Sequence, residues 1–133
     1  MNDRFVLFLV GPKGYAVLEE FCNRNLESNI INVVVAKEIN ANTEYYKRTV
    51  DLCLHKKIKC IDRSQVDFDE NEDITMIAAG WRWLLPSTEK LIVLHDSLLP
   101  RYRGFNPLVS QLRDKEERLG VTTFFASDRY DCG

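Results

Sequence analysis

Arg4–Val10 reads RFVLFLV and Ile30–Ala36 reads IINVVVA, and these two runs decide the fold. A strand with one wet face alternates apolar and polar residues. These runs are apolar almost throughout and rich in β-branched and aromatic side chains, as strands covered on both faces are. Between them, Tyr15–Asn25 puts Val17, Leu18, Phe21 and Cys22 on one side of a helix. Pro12 and Gly14 end the first strand. Strand, amphipathic helix, strand is the parallel crossover unit.

The same alternation continues along the chain. A helix starting near Asn42 as its cap would turn Tyr46, Val50 and Cys53 or Leu54 inward, with Lys56 and Lys57 at its negative end. Ile58–Ile61 is expected as a third strand, Ile74–Gly80 (ITMIAAG) as a fourth, Leu91–His95 (LIVLH) as a fifth and Gly120–Ala126 (GVTTFFA) as a sixth. Asp62–Asp73, which includes the acidic run DFDENED, reads as a solvated connector, since it lacks the spacing and central glycine of a calcium loop. Asn106–Arg113 reads as a helix, and Arg113–Arg118 (RDKEER) as its solvated end. The expected fold is α/β: a three-layer, Rossmann-like, mostly parallel sheet with helices on both faces. It forms one domain over residues 1–133, without repeats or linkers.

Composition narrows the function. The 133 residues are 45% hydrophobic, enough to bury a core and too apolar for disorder. Eighteen basic side chains against twenty acidic ones leave a net charge of −2, which speaks against a protein built to grip nucleic acid. The longest early apolar run, Phe5–Val10, is too short for a membrane span or a signal peptide, so a cytoplasmic location is expected. Cys22, Cys53, Cys60 and Cys132 are scattered, with only His55 and His95 beside them. No metal site is expected, and free thiols are the simpler reading.

Ligands of open α/β sheets sit beyond the carboxyl ends of the strands. After the first strand, Gly11-Pro12-Lys13-Gly14 suits either a phosphate held at a helix start or a plain tight turn. After the fourth, Trp81 and Trp83 suit either the wall of a flat heterocycle or the core. The densest segment follows the fifth strand and runs from His95 to Pro107. A histidine at a strand end, followed by a polar loop punctuated by glycine and proline, is a catalytic candidate. Ser127–Gly133 follows the sixth. If Asp131 folds back to His95, a carboxylate–imidazole pair results, and it would orient the ring and raise its basicity.

The segment His95–Gly104 (HDSLLPRYRG), then Gly120-Val121-Thr122, then Asp131-Cys132-Gly133, resembles the 10-formyltetrahydrofolate-dependent formyltransferases. That family includes enzymes acting on glycinamide ribonucleotide, methionyl-tRNA and amino sugars. Ala79-Gly80-Trp81 resembles the family's strand and loop beside the pterin. The resemblance implies transfer of a formyl group from 10-formyltetrahydrofolate to a primary amine, without a metal. It makes His95 and Asp131 the catalytic pair, and Gly80, Trp81, Leu84 and Leu85 the donor-binding residues. Trp81, Trp83, Leu85, Ser97, Arg101 and Asn106 are the expected substrate contacts. Near-neutral charge favours a small acceptor, with a nucleotide-linked amino sugar the leading choice, over tRNA. A homodimer stays open.

Two departures from the family pattern stand out. The family's asparagine, two residues before the histidine, is Val93 here, and losing one oxyanion donor costs about 100–1,000-fold in rate. Asn106 is the nearby candidate replacement; Asp96 adds a carboxylate where proline or glycine is common. The chain also ends two residues after Asp131, where the family continues, so it is expected to be truncated at its C-terminal end. The alternative is therefore a catalytically impaired folate-binding or interaction module of the same fold. A nucleotide-binding regulator using Gly11–Gly14 ranks third.

Overall fold

Strand β1, Phe5–Leu9, is the centre of the first of two compact units, Met1–Trp83 and Leu84–Gly133. The computed structural model describes residues 3–39, 43–66, 73–85, 89–104 and 106–127. In the first unit, β1 is flanked by β2 (Ile30–Val35) and β4 (Thr75–Ala79), and β3 (Cys60–Asp62) adds beyond β2. All three pairings are parallel. Leu7, Phe8, Val33 and Val34 have no exposed surface, as apolar-on-both-faces strands require. Each such side chain contributes about 1.5–3 kcal/mol. The strand order reverses between β1 and β4. Val10 and Gly80 follow the two strands at that switch point, where open α/β sheets bind ligands.

Helix α1 spans Gly11–Asn23. It starts four residues before the expected Tyr15, because Pro12 in the first turn needs no amide donor and has its φ already set for a helix. The Gly11–Gly14 segment is therefore helix, not a loop ahead of one. Gly14, Leu18 and Cys22 face inward. A Cβ on Gly14 would stand 2.9 Å from that of Leu9, so the glycine lets α1 lie directly on β1. Helix α2 spans Glu44–Lys56 and buries Thr49 and Cys53, while Leu54 is exposed, which settles the inward stripe in favour of Cys53. Its N-cap is Thr43, with no side-chain cap; Asn42, the expected cap, lies outside the described residues. Lys57 closes the helix in a left-handed conformation, and β3 starts two residues later than expected, after a buried Ile58. Arg48 lies over the rings of Tyr15 on α1 and Tyr45 on α2. Cys22, Cys53 and Cys60 are free; Cys132 lies outside the described residues.

The second unit holds β5 (Leu91–His95), α3 (Pro107–Arg113) and β6 (Thr122–Phe125). β5 and β6 pair antiparallel, with Val93 opposite Phe124 and His95 opposite Thr122. Asn106 is the N-cap of α3 rather than its first residue, with φ 53°. The fold is α/β and mostly parallel, as the apolar runs indicate. Among the described residues no helix is long and apolar enough to cross a membrane, and no group of three or more His, Cys, Asp or Glu stands ready to hold a metal.

Candidate active site

His95 ends β5 and is 8% exposed. Its Nε2 lies 2.7 Å from the Tyr102 carbonyl oxygen. A carbonyl only accepts, so Nε2 donates and carries the proton. In the neutral ring the lone pair is then on Nδ1, the arrangement of a base. Val93 lies two residues back and so on the same face of β5, where an apolar side chain supplies no donor.

The loop after His95 is tied down at nearly every residue. Ser97 N donates to the His95 carbonyl at 2.9 Å, and Ser97 Oγ to the Arg101 carbonyl at 2.7 Å. From β6, Thr122 Oγ1 donates to the Ser97 carbonyl at 2.6 Å and accepts from Leu99 N at 3.0 Å. From α3, the buried Gln111 donates through Nε2 to the Asp96 carbonyl at 2.6 Å and to the Pro107 carbonyl at 2.9 Å. Short hydrogen bonds of this number order a polar loop.

The far end of the loop is held by charge. Tyr102 donates its hydroxyl to Glu116 Oε1 at 2.6 Å and to Asp114 Oδ2 at 3.1 Å. Arg101 pairs with both carboxylate oxygens of Glu116. The hydrogen bond to Glu116, ahead of lost hydration and the bond to Asp114, pushes the Tyr102 hydroxyl up to about 12. The Tyr102 hydroxyl and then the Arg101 guanidinium hold the Glu116 carboxyl below its ordinary range. Arg113 first and Tyr102 second do the same for Asp114. A cavity of about 490 Å³ lies between this cluster, Leu98 and Gln111.

The other expected site residues divide between the two units. In the first, Gly80 has φ +70°, and a Cβ there would meet the Val10 carbonyl oxygen at 2.2 Å, so only glycine fits at the switch point. Trp81 stands edge-on to Phe8, with ring centres 5.2 Å apart, and to Trp83 at 5.1 Å; Arg63 lies over Trp83. One edge of Trp81 thus belongs to the core. Its Nε1 is buried with no hydrogen-bond partner among the described residues. In the second unit, Leu84 is fully exposed and Leu85 half-buried. Ser97, expected to touch substrate, has its hydroxyl engaged inside the loop, and Arg101 is exposed and paired to Glu116. Asn106 is exposed at the start of α3. Asp131 lies outside the described residues.

Gln111, Thr122, Asp114 and Glu116 were not singled out as site residues by sequence reasoning. Thr122 sits inside the quoted GVT stretch, so a signal was available. Glu116 sits in a charge run, which on its own reads as a wet surface.

A family model described as formyl transferase matches residues 5–133. The methionyl-tRNA formyltransferase of Campylobacter jejuni subsp. jejuni serotype O:23/36 (strain 81-176) is 37% identical over 68 residues, which cover 49% of this chain and 22% of that protein. The chain thus spans about a fifth of that relative's length. The methionyl-tRNA formyltransferase of Chlorobium chlorochromatii (strain CaD3) is 52% identical over 40 residues, 30% of this chain and 13% of that one. Among solved structures, phosphoribosylglycinamide formyltransferase from Anaplasma phagocytophilum superposes with a TM-score of 0.73 at 20% identity, covering 98% of this chain and 68% of that one. A sugar 3N-formyltransferase solved in the presence of dTDP and 5-N-formyl-THF gives a TM-score of 0.71 at 16% identity, covering 98% and 48%. These two structural likenesses speak to the fold.

Proposed function

The chain belongs to the formyl transferase family, and on that premise we propose that it moves a formyl group from 10-formyltetrahydrofolate to a primary amine. The observation that carries this reading is the His95 imidazole at the end of β5, whose Nε2 donates to the Tyr102 carbonyl. The folate donor supplies an activated formyl carbon. The chain's own part is proton traffic and positioning. The attacking amine must lose a proton, and His95 Nδ1 is the proposed group to take it. Asp131 is the proposed partner that tunes the ring. For the donor, Gly80 and Trp81 are the proposed contacts of the first unit. Trp81 Nε1, a buried donor with no partner among the described residues, fits a ring bearing several acceptor atoms.

The proposed acceptor is a small amine on a nucleotide-linked sugar. The near-neutral charge supports it, as does the structural neighbour solved with dTDP and a formylated folate. The test mixes the chain with 10-formyltetrahydrofolate and candidate amines and follows release of tetrahydrofolate. Turnover is expected with an amino-sugar nucleotide, and His95→Ala should lower it by about 100–10,000-fold. Release that ignores His95→Ala would overturn the assignment.

Val93 favours a second reading, a folate-binding module with weak or no transfer. It predicts donor binding without turnover, and a gain of about 100-fold or more in Val93→Asn as the missing oxyanion donor is restored.

A further inference from the structure

Tyr102 has φ +56°, a left-handed backbone that a bulky side chain rarely adopts. Such a conformation persists only where the surroundings over-determine it. Here the surroundings are the hydroxyl bonds to Glu116 and Asp114 and the Arg101 guanidinium over the ring, 5.3 Å from its centre. Arg101 in turn is paired to Glu116, so one carboxylate holds both neighbours. The backbone so fixed presents the Tyr102 carbonyl to His95 Nε2.

We propose that Tyr102, clamped by Glu116, Asp114 and Arg101, is a positioning residue that sets which nitrogen of His95 carries the proton. The carboxylates bond the Tyr102 hydroxyl. They act through the hydroxyl, the left-handed backbone and the carbonyl in turn. Asp114 and Glu116, twelve and fourteen residues past Tyr102, thereby fix Nε2 as the nitrogen of His95 that donates. The kinetic side of this rests on the formyl-transfer reading; the structural side does not.

The experiment exploits the fact that the chain has only two histidines. Exposed imidazole N–H protons exchange with water too fast to give a cross-peak, and His55 is exposed. In the ¹H–¹⁵N spectrum of the whole chain, His95 is expected to give a protected Nε2–H signal and His55 none. Tyr102→Phe and Glu116→Ala should abolish that signal or speed its exchange by at least about tenfold, whereas Glu116→Gln, which keeps an acceptor for the hydroxyl, should retain it. In turnover, the first two should lower kcat by about 10–100-fold with KM for donor and amine unchanged, and Glu116→Gln should restore most of it. If Glu116→Ala fails to fold, Tyr102→Phe, which loses one oxygen, gives the same reading.

A protected signal that survives Tyr102→Phe unchanged would overturn the proposal, as would its absence from the unsubstituted chain. Should the unsubstituted chain show no turnover at all, the formyl-transfer reading falls, and the cross-peak series still decides the clamp.

Discussion

The two compact units are held together by different forces. In the first, Leu7, Phe8, Val33 and Val34 are sealed inside a parallel sheet, and stability comes from apolar burial. In the second, the buried side chains among the described residues are Leu91 and the polar His95, Ser97 and Gln111, while Leu98, Leu108, Val109, Leu112 and Phe125 are exposed. There the ordering comes from hydrogen bonds and ion pairs that converge on one loop. Burial is strong and non-directional, so it suits a scaffold. Hydrogen bonds are weaker but directional, so they suit a group whose orientation decides its chemistry.

Substitutions should separate the two regimes. The largest loss is expected from Phe8→Ala, about 3–5 kcal/mol by chemical denaturation, since it empties a fully buried site that also supports Trp81. An unchanged denaturation midpoint would remove the burial account of the first unit. Gln111→Leu should cost about 1–3 kcal/mol by leaving the Asp96 carbonyl without its donor. Its effect on turnover should exceed its effect on stability, because that carbonyl belongs to the residue next to His95.

Acid gives a smaller effect. Glu116 and Asp114 are held below their ordinary range, so what they contribute is fully present above about pH 4.5, the unfolded carboxyl range, and is lost as pH falls through their folded values. Between pH 6 and 3 the urea midpoint should therefore fall less steeply in Tyr102→Phe than in the unsubstituted chain. Equal slopes would detach the hydroxyl from the carboxylates. Smallest of all is Leu112→Ser on the exposed face of α3, expected to stay within about 0.5 kcal/mol by thermal melting.

Much of the scaffold was legible in advance. Leu91–His95 is bounded as expected, and β1, β2 and β4 differ from expectation by a residue or so at their ends. The apolar runs carry that information locally. The start of α1 is not legible locally, because Pro12 reads as a breaker within a short window and only in a first turn is it a helix former. His95 was legible as a candidate because its place at a strand end is local too. The partners that orient it were not. Glu116 in RDKEER looks like any solvated charge, and its role depends on Tyr102, fourteen residues earlier, turning its hydroxyl toward it.

From the sequence alone come the α/β fold, the order of its elements and the histidine at the end of β5, because periodicity and strand-end position are properties of short windows. The tertiary structure alone decides that Nε2 of that histidine faces a carbonyl, and that a tyrosine in a left-handed conformation holds the carbonyl there. Those facts depend on distances between residues far apart in the chain, which no local pattern encodes.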